Sequence, residues 1–461
     1  MTTPSITSNR RPPIRAPRLL AIVAASVVIV VATYVLGAFR YAPHGEARPV
    51  TRSSPIAAPG RHAPIDTGAT AIGSLRQIDH SIEAWSKNLA ANPKDFLAAT
   101  NLSLLYHGRG RLSYDLADHE RALAAARTAL AIEPTYAPAR ASEATILFTL
   151  HEFQGAYAAA EAVVRDDPSQ SGALASRFDA ELELGRLDDA RTDLQRLGSV
   201  GGPAIITRQA RLASATGDPT AALDAARRAR AAAIDDDEQD IGFYAYAVGE
   251  YGRLAGDAAT ARAGYVEAID ARSADVAALV GLARIDAFEG KLDAAIDGLR
   301  HATAVAPQPE ALALLGDLET MANDPDAAKA YETVRFIERL GDIQSKTFDR
   351  QLLRFELDHA GASDDVLARA KTSLEGRPDW TGHDTVAWAL YRLGRLDEAA
   401  AEIAAARVLG ADDARLRFHE GAIELGRGDA SKGRASLESA LDLGPALDPI
   451  ERAEATRLLG G

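Results

Sequence analysis

Nine turn positions recur along the chain at a spacing near 34 residues, and this period constrains the fold more than any other feature. They are His151, Gly185, Gly217, Gly256, Gly290, Asn323, Gly361, Gly394 and Gly428, separated by 34, 32, 39, 34, 33, 38, 33 and 34 positions. Small residues stand at fixed offsets from the stronger copies. Gly394 is followed by Ala399 and Ala406, Gly290 by Ala295 and Ala302, Gly256 by Ala261 and Ala268, Gly217 by Ala222 and Ala229, and Gly428 by Gly433 and Ala440. Seven positions before a turn stand Gly249, Ala283, Gly316, Ala387 and Gly421. A turn glycine supplies backbone freedom between two helices, and small residues let those helices approach closely. Pro134, Pro168, Pro203, Pro307 and Pro445 mark the ends of units, because proline cannot continue a helix. Each unit therefore reads as helix–turn–helix. With 96 alanines and only 6% aromatic residues, the composition suits close-packed helices better than a sandwich or barrel.

On these residues the body resembles the tetratricopeptide-repeat family, whose helix–turn–helix unit has a period of about 34 residues. The resemblance implies an all-α, right-handed superhelical solenoid of about nine to ten units over residues 95–447. The family's bulky aromatic positions are mostly filled here by Leu, Val or Ala. Ser74–Ala91, with Ile78, Ile82, Trp85 and Leu89 at helical spacing, reads as a capping helix within residues 73–94. Ile450–Leu459, after Asp448-Pro449, reads as the closing helix of residues 448–461. In the opening unit Phe96–Tyr106 reads as a helix, and Gly108–Ser113 as a longer loop before Leu116–Ile132.

The amino terminus reads as an address. Residues 1–18 form a short basic tail, and residues 19–39 are uncharged and mostly apolar, long enough to cross a bilayer as a helix. Arg10, Arg11, Arg15 and Arg18 precede the span, and the positive-inside tendency keeps that side cytoplasmic. The expected topology is single-pass, with the repeat body outside the cytoplasm. Secretion after signal-peptide cleavage is the alternative, although Val35-Leu36-Gly37 is a poor cleavage site. Residues 40–72, with Pro43, Pro49, Pro55, Pro59 and Pro64, read as an extended tether.

Charge excludes some functions. Residues 1–70 carry a net charge of +6 and the remainder −20, which repels phosphate backbones, so nucleic-acid binding is not expected. The chain has no cysteine, which removes disulfides, thiolate metal sites and lipid attachment through sulfur. No phosphate-binding loop, nucleophile elbow or metalloprotease motif is present. His119-Glu120 and His419-Glu420 lack a second metal-ligating histidine, and the run Asp235–Asp240 lacks a calcium-loop glycine and reads as a helix start. Asp384 beside His383 also reads as a helix-start residue. No catalytic residues, cofactor or metal are expected.

What remains is surface. The resemblance implies that the first helix of each pair lines a concave groove in which ligands lie. Counted from the turns, the groove positions include Arg208, Arg211, Phe243, Tyr246, Glu250, Arg284, Asp384, Trp388 and Tyr391. Arginines suit carboxylates and aromatics suit anchoring, so the expected partner is a protein or peptide, bound by a membrane-anchored scaffold without catalysis. The alternative is an envelope assembly or transport accessory that binds a lipid, glycan or small ligand there. The family's lysine–asparagine clamp for a terminal carboxylate is absent, its places holding Ala, Ser, Thr and Gly.

Overall fold

The computed structural model describes residues 75–198, 201–233, 238–339 and 342–460, and all regular structure among them is helical. The opening helix α1 (Leu75–Ala91) is followed by the pairs α2 (Phe96–Ser113) with α3 (Leu116–Ile132), α4 (Ala137–Thr149) with α5 (Phe153–Asp166), and α6 (Ser171–Glu183) with α7 (Leu187–Leu197). Then come α8 (Pro203–Ala215) with α9 (Pro219–Ala232), α10 (Glu238–Leu254) with α11 (Ala258–Ala271), and α12 (Val276–Phe288) with α13 (Leu292–Val305). The carboxyl-terminal pairs are α14 (Pro309–Met321) with α15 (Ala327–Arg339), α16 (Asp342–His359) with α17 (Asp364–Gly376), α18 (Trp380–Arg392) with α19 (Leu396–Val408), and α20 (Ala414–Arg427) with α21 (Ala430–Asp442). A single 3-10 turn, Gly444–Ala446, leads into α22 (Pro449–Gly460). The body is a tetratricopeptide-like solenoid.

The period arises from backbone geometry. All nine turn residues have left-handed φ, from 57° at Asn323 to 90° at Gly428. The small residues do what their offsets require. Ala222, Ala261, Ala295 and Ala399, five positions after a turn, are fully buried, as are Ala229, Ala268, Ala302 and Ala406 twelve after. The crossing of α10 and α11 is close: a Cβ on Gly264 would lie 2.4 Å from the backbone nitrogen of Gly249. Aspartates start many of the helices: Asp95, Asp218, Asp257, Asp275, Asp379 and Asp429 each accept a backbone N–H from the first turn.

Three local expectations are corrected. Gly108–Ser113 is the last part of α2 and not a loop. Its two glycines cost about 2 kcal/mol of helix propensity, offset where Arg109 bridges Asp79 on α1 and Asp118 on α3 at 2.6–2.7 Å. The turn of this first pair falls on Tyr114, with φ 61°. The start of α18 is capped by Asp379, whose carboxylate accepts the Gly382 N–H at 2.8 Å, so Asp384 lies inside the helix. Pro203 opens α8 rather than closing a unit, its fixed φ suiting the first helical position. In the acidic run, α10 begins at Glu238, whereas Asp235, Asp236 and Asp237 lie outside the described residues.

Distant pairs meet where successive turns of the superhelix stack. The Tyr114 hydroxyl accepts from Arg272 at 2.9 Å, across 158 residues of sequence, and Arg377 pairs with Glu183 across 194. At a period near 34 residues, one superhelical turn is about five pairs. The stacking is close: a Cβ on Gly217 would come within 2.4 Å of the Gly410 carbonyl oxygen, and one on Gly185 equally near that of Pro378. The inner face of the later pairs is closed by this winding.

Candidate functional site

The inner face carries two groups of buried ion pairs. In the first, Arg208 and Arg211 on α8 both grip Asp179 on α6, at 2.6 Å and 2.5 Å. Arg211 also holds Glu183 at 3.0 Å, and Glu183 accepts from Arg377 on the next superhelical turn. Arg377 pairs in turn with Asp379 at 2.9 Å, which Arg350 on α16 grips at 2.5 Å. Burial would raise the Asp379 carboxyl, but Arg350 and Arg377 hold it below the usual carboxylate range. A cavity of about 210 Å³ lies among Glu183, Arg211, Tyr251, Arg377, Trp380 and Thr381.

The second group encloses the chain's own carboxyl-terminal segment. Arg253 on α10 donates to the carbonyls of Pro445 at 3.4 Å and Ala446 at 3.1 Å. Arg284 on α12 donates to Asp448 at 2.7 Å and to Glu310 at 2.7 Å. Arg354 on α16 spans Asp448 and Glu451, at 2.9 Å each, and Arg415 on α20 donates to Glu451 at 2.7 Å. Four first helices thus place one arginine each against a single short segment. Burial alone would raise the Asp448 carboxyl; Arg284, Arg354 and Arg415 outweigh it and hold that group far below its usual range. Glu451 is likewise lowered against burial, by Arg415 and Arg354. Largely buried arginine–carboxylate pairs of this kind are specific in geometry and costly to break one partner at a time.

The remaining expected groove residues are built into the same interior. Phe243 and Tyr246 are buried, Phe243 edge-on to Tyr244 at 5.0 Å and Tyr246 tilted against Tyr265 at 6.0 Å. Glu250 accepts from Arg253 and from the Tyr265 hydroxyl, both at 2.6 Å. Asp384 bonds His419 Nδ1 at 2.7 Å. Trp388, only 2% exposed, is stacked between His419 at 4.0 Å and Tyr391 at 4.8 Å, and its indole N–H donates to Asp358 at 2.9 Å. Sequence reasoning missed Asp179, Glu183, Arg354, Arg377, Arg415, Asp448 and Glu451. Asp448-Pro449-Ile450-Glu451 carries the signature of a capping box, and the Asp448 N–H does donate to Glu451, at 3.2 Å. That local role masks the contacts to distant arginines.

The first pair is different. Ten positions before its turn, Leu104 holds the place that Tyr246 and Asp384 hold in later pairs, and it is 49% exposed, with Leu97 on the same helix 46% exposed. Among the described residues no later superhelical turn is seated on them.

No protein-family model and no curated protein matches the sequence. Among solved structures, the chain is similar to the type IV pilus biogenesis factor PilW (15% identity, TM-score 0.38, covering 46% of this chain and 99% of that one). It is also similar to the APC/C hetero-tetramer Cut9–Hcn1 (14%, 0.31, covering 83% and 93%) and to yeast Tom70 (14%, 0.30, covering 78% and 95%). The helix pairs and turn period described above are the chain's own basis for the tetratricopeptide-like assignment.

Proposed function

We propose that the chain is a membrane-anchored scaffold that binds a protein partner through the helix-lined inner face and performs no chemistry of its own. The observation that carries the reading is the second arginine group. This inner face already holds a stretch of polypeptide by its carbonyls and carboxylates, which is the chemistry of peptide recognition. The exposed leucines of α2 extend that surface with the apolar anchoring that partners use. The anchor is residues 19–39, outside the described residues, where 21 uncharged residues follow an arginine cluster. Among the described residues no helix is long and apolar enough to cross a membrane.

The test uses the full chain, captured from detergent-solubilised membranes beside two variants. Leu97→Asp with Leu104→Asp should lose a partner that the parent and a Val408→Asp control on an exposed outer site retain. Equal retention by all three removes the inner face of α2 from the reading, and an absence of any specific partner rejects the scaffold. A periplasm-active reporter fused after residue 461 should be active; an inactive one rejects the outward topology.

A further inference from the structure

We infer that the cavity at the seam between superhelical turns is a binding site for an uncharged, single-ring aromatic molecule that carries a hydroxyl or carbonyl oxygen. The site goes beyond partner capture by α2 and does not depend on it. Its walls come from two turns of the winding: Leu182, Arg211 and Tyr251 from α6, α8 and α10, and Trp380 and Leu409 from the turn stacked on them. At about 210 Å³ it exceeds an engineered cavity of roughly 150 Å³ that holds benzene, so one substituted ring fits. Charge is already balanced around it. Arg208, Arg211, Arg350 and Arg377 face Asp179, Glu183, Asp349 and Asp379, four against four. A charged ligand would enter without a counter-charge of its own, and nothing would repay its desolvation. Hydrogen bonding, by contrast, is incomplete. Tyr251 is 7% exposed and lines the cavity, yet its hydroxyl has no hydrogen-bond partner among the described residues. Burial pushes that hydroxyl above its ordinary value, so it stays protonated and can donate. The indole N–H of Trp380 also lacks a partner among the described residues. An unpaired buried donor is costly, and an oxygen on the ligand would satisfy it. The rings of Tyr251 and Trp380, with the leucines, give an aromatic ring the surface it packs on, and the guanidiniums of Arg211 and Arg377 favour its π face. Leu187, Trp380 and Leu409 are only half-buried, which leaves a way in. An occupant touches both turns, so binding fastens the winding at this seam.

The experiment follows 4-fluorophenol by fluorine NMR against the full chain in detergent micelles at pH 7, with protein-free micelles as the reference. The parent should give a saturable shift that p-cresol displaces. Toluene, which lacks the oxygen, and benzoate, which is charged, should displace it at least about fivefold less well. Tyr251→Phe should weaken binding by about fivefold, the loss of one hydrogen bond, and keep the ligand-free melting temperature. Ala215→Leu, which extends a wall into the cavity, should abolish binding. In the parent, the phenol should slow amide exchange in α10 and α18 together. N-acetyl-tyrosinamide carries the same ring on a peptide unit and should not compete. Four results overturn the inference: no saturable shift beyond that of protein-free micelles, equal binding by the parent and both variants, displacement by benzoate as good as by p-cresol, or displacement by N-acetyl-tyrosinamide as good, which would make the site a reader of a partner's tyrosine. The leucines of α2 lie outside this cavity, so a failure here is distinct from failure of the scaffold.

Discussion

His107 and His119 show how burial sets the chemistry of single residues in this chain. Their Nδ1 atoms lie 3.2 Å apart between α2 and α3. Burial is the main cause that keeps His107 well below its ordinary value and His119 down to about 4, with the Arg111 charge acting in the same direction and Asp118 opposing it at His119. Both rings are neutral in the fold but protonate near pH 6.5 when unfolded, so their contribution is complete above pH 6.5 and is lost as pH falls below it, for His119 toward about 4. For His119 the gap corresponds to at most about 3 kcal/mol. His359 has the opposite sense, raised against burial by its hydrogen bond to Asp317. Comparing variants isolates the pair: His107→Gln with His119→Asn should flatten the fall in the denaturant midpoint between pH 7 and pH 4.5, and an unchanged slope would reject the assignment. Glu181 titrates in the reverse direction. It is 2% exposed with Oε2 unpartnered, and burial first, then Asp193, raises it to about 8. Its protonated form suits the fold, so stability is lost as pH rises from about 4.5 toward 8. Glu181→Gln should raise stability at pH 8 by about 1–2 kcal/mol, read as a higher melting temperature than the parent's; a lower one would mean that the carboxylate is bonded as an anion.

At the scale of the element, a helix pair is defined by its turn and by how closely its two backbones pass. The period was legible because left-handed turns favour glycine, and because the crossing tolerates only small residues. Gly264→Ala tests the second point. Its methyl would meet the Gly249 backbone at 2.4 Å, and that atom cannot turn aside as a side chain could. The expected loss is about 1–3 kcal/mol, measured by denaturant unfolding. A loss within error of zero would mean that α10 and α11 can separate without cost. The first pair escaped this reading for a physical reason. Gly108 and Gly110 imitate a turn, yet tertiary ion pairs keep them helical, and the actual turn residue is Tyr114, whose hydroxyl is anchored on the next superhelical turn. Local propensity of about 1 kcal/mol per glycine is easily overridden by such contacts.

For the whole molecule, winding is the property that matters. Gly217 and Gly394 have nearly the same φ, 77° and 75°, and each would pay about 1 kcal/mol for gaining a side chain there. They differ only in surroundings: a methyl at Gly217 strikes the Gly410 carbonyl of the neighbouring superhelical turn, whereas one at Gly394 meets nothing within 4 Å. Gly217→Ala should therefore cost about 1–3 kcal/mol more than Gly394→Ala. Equal losses would show that successive turns do not stack in solution.

The sequence by itself determined the helix pairs, their turns and the class of fold, because those follow from backbone conformation and side-chain size within a window of one repeat. It also placed Arg208, Arg211, Glu250, Arg284, Asp384 and Trp388 on first helices. What covers them was decided only by the tertiary structure. Burial of those charges depends on which units meet after some 158 to 194 residues. That distance is set by small rotations summed over several repeats, and no local pattern encodes the sum. The carboxyl-terminal segment is the plainest case. Asp448 and Glu451 look like the start of a helix and are one, while Arg284, Arg354 and Arg415 from three other repeats draw them into the inner face.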